Sequence, residues 1–378
     1  MNDKQIALDY AKRLIACASI TPATGDVFAE LEAMLEPLGF DVTRFVSGEA
    51  PDGPVENLFA IRSPKTGEPG RHFAFAGHLD VVPPGEGWHS DPFTPEIRGD
   101  LLYGRGAVDM KGSIASFVAA LHDIPQDAGT ISLIITGDEE GPAVYGTRAL
   151  IDHMQERGTI PDLCLVGEPT SVKQLGDMVK IGRRGSVNMW ISVDGTQGHV
   201  AYPHMADNPI PKLVRILAAI DDIVLDNGTD WFQPSNIEIT DLNVGNPAHN
   251  VIPKRAEART STRFNDLHTG AELVERITNL AEAMGGSVKG IVSGEAFLTP
   301  PGELSTLVSN AIEAETGILP ELSTSGGTSD ARFLSQICPV VEFGLCNATM
   351  HKLDEAVAVQ DLDRLAVIYK RIVVAALA

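Results

Sequence analysis

Short apolar runs alternating with helical stretches constrain this chain more than any other feature. NLFAI near residue 57, HFAFAG near 72, TISLIIT near 130 and DLCLV near 162 have the length and composition of buried strands, and helical stretches beginning near Gly112 and Tyr145 separate the later ones. Strands apolar on both faces need covering on both. The alternation therefore predicts an α/β fold: a mostly parallel sheet flanked by helices. Upstream, Ile6, Leu8, Leu14 and Ile15, then Val27, Leu31, Met34, Leu35 and Leu38, predict two opening helices, with Gly39 at a C-cap position.

From about residue 180 the texture changes. SVNMWISVDG and RAEARTSTRFN read as longer alternating strands, with helical stretches near 209–222 and 269–284, which together predict an inserted α+β domain. Buried-strand texture returns at CPVVEFG, before a final helix near 359–377. At 378 residues the chain is longer than one compact core usually grows. The expected division is 1–179 for the first part of one domain, 180–290 for the insertion and 291–378 for the second part.

Charge excludes some partners. With 29 basic against 51 acidic residues the formal net charge is −22, which repels nucleic acid and anionic membrane surfaces and leaves small molecules as the expected ligands. No continuous apolar run approaches a membrane span. Cys17, Cys164, Cys338 and Cys346 are scattered without a CxxC, as suits buried thiols in a reducing compartment. A cytoplasmic protein is expected.

Five metal-ligand-type side chains lie in strand-end or glycine-rich motifs: His78 in GHLD, Asp109 in GRGAVDMKG, Glu140 in TGDEEG, Glu168 in LVGEPT and His351 in NATMHK. In open α/β sheets ligands bind beyond the carboxyl ends of the strands, where His78, Glu139, Glu140 and Glu168 fall. The adjacent Glu139 and Glu140 repel each other unless a cation sits beside them, a conflict resolved if one is a metal ligand and the other a proton carrier. The His-x-Asp spacing puts Asp80 on the same side of an extended segment as His78, within reach of its second ring nitrogen. Two His and three carboxylates suffice for two divalent cations if Asp109 bridges them.

On these motifs, in this order, the chain resembles end to end the two-metal amidohydrolases that include aminoacylase, acetylornithine deacetylase, succinyl-diaminopimelate desuccinylase and glutamate carboxypeptidase. The resemblance implies a zinc-exopeptidase-like catalytic domain with an inserted dimerisation domain, and a homodimer. It makes His78 and Glu168 ligands of one metal, Glu140 and His351 ligands of the other, Asp109 the bridge, Glu139 the general base and Asp80 the support of the ligating His. The metal pair is expected to be zinc, with Co or Mn compatible with mixed N/O ligation. The expected reaction is amide hydrolysis by a metal-bridging hydroxide.

GRRGS at 182–186, GHVAYPH at 198–204, STSGGTSDARF at 323–333 and NATMHKLDE at 347–355 bring the chain nearest to the desuccinylase branch. The substrate there carries several carboxylates, so an acidic protein needs local cations. Arg183 or Arg184 and Arg263 are candidates for bidentate grips, and Gly326, Gly327 and Thr328 for a backbone anion-binding turn. By resemblance, His199 completes the partner subunit's active site as an oxyanion donor, and Tyr202, Asn250 and Asn347 touch substrate. His72, His89, His122, His153 and His268 receive no role, and His204 and His249 stay undecided. The alternatives are a deacylase of another N-acyl amino acid such as N-acetylornithine, a dipeptidase, or a non-catalytic metal-dependent binding protein.

Overall fold

The computed structural model describes residues 6–65 and 70–378. Residues 1–5 of the opening segment lie outside the described residues. The chain divides into two compact units: Met1–Ile181 with Thr299–Ser323 and Ser329–Ala378, and Gly182–Leu298 with Thr324–Thr328.

In the first unit, α1 (Ile6–Ala16) and α2 (Asp26–Leu35) precede β1 (Asp41–Ser47), β2 (Val55–Arg62) and β3 (His72–His78). Then come α3 (Lys111–Leu121), β4 (Thr130–Thr136), α4 (Thr147–Arg157), β5 (Leu163–Val166) and β6 (Met178–Lys180). After the second unit the chain adds α5 (Glu303–Thr316), β7 (Glu321–Ser323), β8 (Val340–Glu342) and α6 (Val359–Leu377). The eight strands form one sheet in the order β1-β2-β4-β3-β5-β8-β6-β7. Its centre, β4-β3-β5-β8, is parallel throughout. NLFAI, in β2, departs from the parallel pattern: β2 runs antiparallel to both β1 and β4. The short connection from β1 to β2 requires the first of these, because a parallel return needs a crossover of a dozen residues or more.

Helices cover both faces. All seven residues of β4 are buried. The ring of Phe75 on β3 stacks at 4.2 Å on Phe117 of α3 and meets Tyr369 of α6 edge-on. On the opposite face, Phe59 of β2 packs against His153 of α4, so one unassigned histidine, half-buried, serves as an aromatic packing partner.

Register places the strand-end motifs side by side. His78 pairs with Thr136, so the TGDEEG segment leaves β4 beside it. Ala76 pairs with Val166, which brings Glu168, two residues on, level with His78. Parallel pairing thus gathers these side chains at one edge.

The second unit is a four-stranded antiparallel sheet in the order Asn236–Asn243, Arg255–Phe264, Gly185–Asp194, Ser287–Gly294. Val187, Met189, Ile191 and Val193 alternate inward and pack with Leu213, Ile216 and Ile277 from the helices Pro209–Asp221 and Gly270–Glu282. Asn208 caps the first helix by accepting from Ile210 N, with Pro209 opening its first turn. Thr269 and Glu272 form a capping box on the second. The unit ends later than the expected boundary near 290, because Ser287–Gly294 pairs with Gly185–Asp194 and Phe297–Leu298 pairs with Gly182–Arg183. Among the described residues, no helix is long and apolar enough to cross a membrane.

Phe117 is fully buried, so Phe117→Ala should destabilise the first unit by about 3–5 kcal/mol. Its denaturant midpoint should fall accordingly, with that of the second unit unchanged.

Candidate metal centre

Five strand-end or loop segments of the first unit converge here. His78, 1% exposed, ends β3. Its Nε2 lies 3.2 Å from Asp109 Oδ1 and 3.8 Å from Glu168 Oε1. The other carboxylate oxygen of Asp109, Oδ2, lies 2.9 Å from His351 Nε2. That same nitrogen is 2.9 Å from Glu140 Oε1. Asp109 therefore stands between the two imidazoles with one oxygen facing each. His351 is 44% exposed and holds a left-handed backbone with φ 59°, which is uncommon for a residue with a Cβ and marks a conformation imposed by its surroundings.

Ligand atoms of His78, Asp109 and Glu140 lie within 4.8 Å of one another, as do those of His78, Glu139 and Glu168. Two imidazoles among carboxylate oxygens form the donor set of a divalent-cation site. The electrostatics agree. His351 is raised to about 10 by its hydrogen bonds to Asp109 and Glu140. Burial opposes a charge on His78, yet Asp109 bonded to it holds it well above its ordinary value. Burial likewise pushes Asp109 up, and the bonds from His351 and His78 outweigh this and hold it far below the usual carboxylate range. The carboxylates demand cations, and a divalent metal ion satisfies the demand that protons on the imidazoles otherwise meet.

Glu139 is pushed well above the usual carboxylate range by burial and by the neighbouring Glu168, against the pull of His78. A carboxyl group so poised suits proton transfer. Asp80 departs from its expected part. The ring Nδ1 of His78 bonds the main-chain oxygen of Asp80 at 2.9 Å, while the Asp80 carboxylate stands 3.6 Å off. That carboxylate instead accepts the backbone N–H groups of Glu139 at 3.1 Å and Glu140 at 2.9 Å. Asp80 thus orients the two glutamates as well as the histidine. Asp138 next to them accepts from Ala143 N at 3.0 Å, turning the loop.

Two residues near the centre escaped the sequence reading. Glu355, fully buried, accepts from Gly106 N, Val108 N and Asp109 N at 2.8–3.0 Å, and Arg105 forms an ion pair with it at 2.8 Å. Both lie inside quoted motifs, but nothing in the spacing relates positions 250 residues apart.

Asn347 belongs to the first unit, its N–H donating to Ser171 O at 2.9 Å. The other sequence-derived site residues belong to the second unit, where they form separate groups. His199, Tyr202 and Asn250 are exposed neighbours: His199 pairs with Val251, Val200 N donates to Asn250 O at 3.0 Å, and the rings of His199 and Tyr202 lie 5.7 Å apart. Arg183, 9% exposed, reaches the 324–328 segment: a Cβ on Gly326 would stand 2.6 Å from its Nη1. With φ +108° as well, that position requires glycine. Next to it, Gly327 has open space around it, and Thr328 is half-buried. Arg263 donates to Ser186 Oγ at 2.7 Å, whereas Arg184 donates to Asn236 at 3.1 Å.

Comparison with known proteins agrees with this geometry. Residues 74–375 match the model of peptidase family M20/M25/M40. The chain is 71% identical over 367 residues to the succinyl-diaminopimelate desuccinylase of Novosphingobium aromaticivorans, covering 97% of each chain. It superposes on the aminopeptidase PepT of Bacillus cereus with a TM-score of 0.78 at 20% identity, covering 99% and 98% of the two chains. It also superposes on the YXEP protein of Bacillus subtilis, a dinuclear metal-binding peptidase, with a TM-score of 0.72 at 15% identity and 98% of each chain covered. The chain belongs to peptidase family M20/M25/M40, and its histidines and carboxylates gather at the strand ends of that family's fold.

Proposed function

We propose that the chain is a metal-dependent amidohydrolase that cleaves N-succinyl-LL-2,6-diaminopimelate to succinate and LL-2,6-diaminopimelate, a step of lysine and diaminopimelate biosynthesis. The observation that carries the reaction type is Asp109, placed with one oxygen toward His78 and the other toward His351. End-to-end identity to a desuccinylase supports the substrate. In this reading His78 and Glu168 hold one divalent ion, Glu140 and His351 hold the other, and Asp109 bridges. The ions are zinc, with cobalt or manganese as substitutes of compatible ligation.

Such a pair, when bound, polarises the amide carbonyl and acidifies water. Glu139 takes the proton from the attacking water and returns it to the leaving amine. Its elevated affinity for protons suits both halves of that task. Asp80 fixes the backbone of Glu139 and Glu140, so the base keeps its aim through the cycle. The substrate carries three carboxylates and one ammonium. Arg183 and Arg263 supply cations to those carboxylates, the 326–328 backbone supplies N–H donors, and Tyr202, Asn250, Gly327, Thr328 and Asn347 complete the contacts. His199 acts in the partner subunit's site as an oxyanion donor, so the working form is a homodimer, formed through the second unit. The enzyme works in the cytoplasm.

Amine release from N-succinyl-diaminopimelate and N-acetylornithine, measured in parallel on zinc-loaded and chelator-treated protein, tests the assignment. Hydrolysis of the succinyl substrate alone, abolished by the chelator and restored by zinc, is expected. Preference for acetylornithine would keep the reaction type and overturn the substrate.

Glu139→Gln should lower kcat by about 100- to 10,000-fold with metal content intact, whereas Asp109→Asn should lower metal content itself. Metal analysis beside steady-state kinetics separates the two, and full activity in the Gln variant would remove Glu139 from the mechanism. Mixed dimers offer a further check: His199→Ala subunits should regain activity when exchanged with Glu139→Gln subunits. Absence of rescue after confirmed exchange would place His199 in its own subunit's site.

A further inference from the structure

Glu355 is a glutamate with every hydrogen-bonding direction occupied in a fully buried setting. Its Oε1 accepts from Val108 N at 2.8 Å and from Asp109 N at 3.0 Å. Its Oε2 accepts from Gly106 N at 3.0 Å and from Arg105 Nη1 at 2.8 Å. The main chain adds a further tie, since Gly104 N donates to Glu355 O at 3.0 Å. One carboxylate thus collects the N–H groups of the loop that presents Asp109, including that of Asp109 itself.

Arg105 extends the connection. It is 2% exposed, and its Nη1 also donates to the carbonyl of Lys352, the residue after His351, at 3.2 Å. Its Nη2 donates to Pro84 O at 3.2 Å, and its guanidinium lies 5.1 Å from the ring centre of Trp88. The turn holding His351 is closed from the other side, where Thr349 Oγ1 donates to Ala356 O and Ala356 N donates back to Thr349 Oγ1. Consequently Asp109 and His351 do not sit on independently anchored segments. Both hang on a single buried ion pair, and the strained backbone of His351 lies within that closed turn.

A buried pair that only stabilised the fold would be expected to gain little over an apolar pair of the same shape. The directions of these bonds point to a more particular part. His78 ends β3 and Glu168 follows β5, and the parallel pairing of these strands fixes them without help from Arg105 or Glu355. Asp109 and His351 have no such frame: one lies in a glycine-rich loop and the other in a turn.

We propose that Arg105 and Glu355 are positioning residues for one half of the metal centre: they set the separation of Asp109 from His351 and thereby the affinity for the ion held by His351, Glu140 and Asp109. The inference rests on the dinuclear reading given above. Outer partners that orient metal ligands typically change metal affinity by about 10- to 100-fold when removed. The asymmetry between the two ions is what separates positioning from general stabilisation.

The experiment is a cobalt titration of the metal-free full-length protein, followed by calorimetry and by the visible absorption of bound Co2+, on wild type, Glu355→Gln and Arg105→Lys. Thermal unfolding of each metal-free form is measured alongside. In Glu355→Gln the ion held by His351, Glu140 and Asp109 should lose about 10- to 100-fold in affinity with an altered absorption band, while the other ion, which shares Asp109 but keeps His78 and Glu168, loses less. At saturating cobalt kcat should fall while KM for the succinyl substrate is retained. Arg105→Lys, which leaves the backbone bonds of Glu355 in place, should move the same parameters in the same direction by less. Two ions bound with wild-type affinities and spectrum would overturn the proposal, as would both affinities falling equally along with the melting temperature. If Glu355→Gln does not fold, Arg105→Lys is judged by the same criteria. Wild-type protein that takes up a single ion overturns the dinuclear reading and this inference together, whereas failure in the variants alone leaves that reading intact.

Discussion

Carboxylates crowded at one end of a parallel sheet are the constraint on which the first unit depends. Asp109, Glu139, Glu140 and Glu168 approach one another around His78, with Asp80 and Asp138 beside them. Burial and the nearby Asp80 raise Asp138 to about 6, so the repulsion extends beyond the candidate ligands. Such a cluster persists only if each group has its own compensation, and three kinds are visible. The imidazoles of His78 and His351 face Asp109. Backbone N–H groups face Asp80, Asp138 and Glu355. Arg105 faces Glu355.

These compensations differ in what they leave available. A carboxylate that accepts two or three backbone N–H bonds is committed to holding the chain, because losing those bonds would leave buried donors unsatisfied. Asp80 and Glu355 are of this kind, one beneath the Glu139–Glu140 turn and the other beneath the Asp109 loop. Asp109 and Glu140, by contrast, face imidazole nitrogens, contacts that a metal ion can replace without disturbing the backbone. The site therefore has an outer set of carboxylates that positions an inner set. Such preorganisation is what catalysis and metal selectivity require.

The second unit follows different rules. Its antiparallel strands bury one face under two helices, and its charged residues serve largely local ends. Asp226 accepts from Gly228 N, Ser235 N and Asn265 Nδ2, and the ring of His268 lies 3.0 Å from it. His268 is thereby explained as a structural partner of a buried acid. His199, Tyr202 and Asn250 are exposed, with the ring of His199 accepting from Ala201 N at 3.0 Å and lying 5.7 Å from that of Tyr202.

Much of this was legible in the residues because it depends on local periodicity. Buried strands announce themselves by apolar runs, and the candidate ligands His78, Glu140 and Glu168 by lying at or just past the ends of those runs. What periodicity does not encode is which strands pair and in which sense. NLFAI reads as a buried strand yet pairs antiparallel, and the inserted unit runs on to Leu298 because its last short strand returns to Gly182–Arg183. Asp80 was recognised beside His78 from a two-residue spacing, but its carboxylate bonds across the sheet to a turn some sixty residues away. The sequence alone determined the types of donor and the strand ends that carry them, since both follow from side-chain chemistry and hydrophobic pattern. Only the tertiary structure decided that Asp109 faces both imidazoles and that Arg105 and Glu355 hold it there, because contacts across 250 residues arise from packing and leave no periodic trace in the chain.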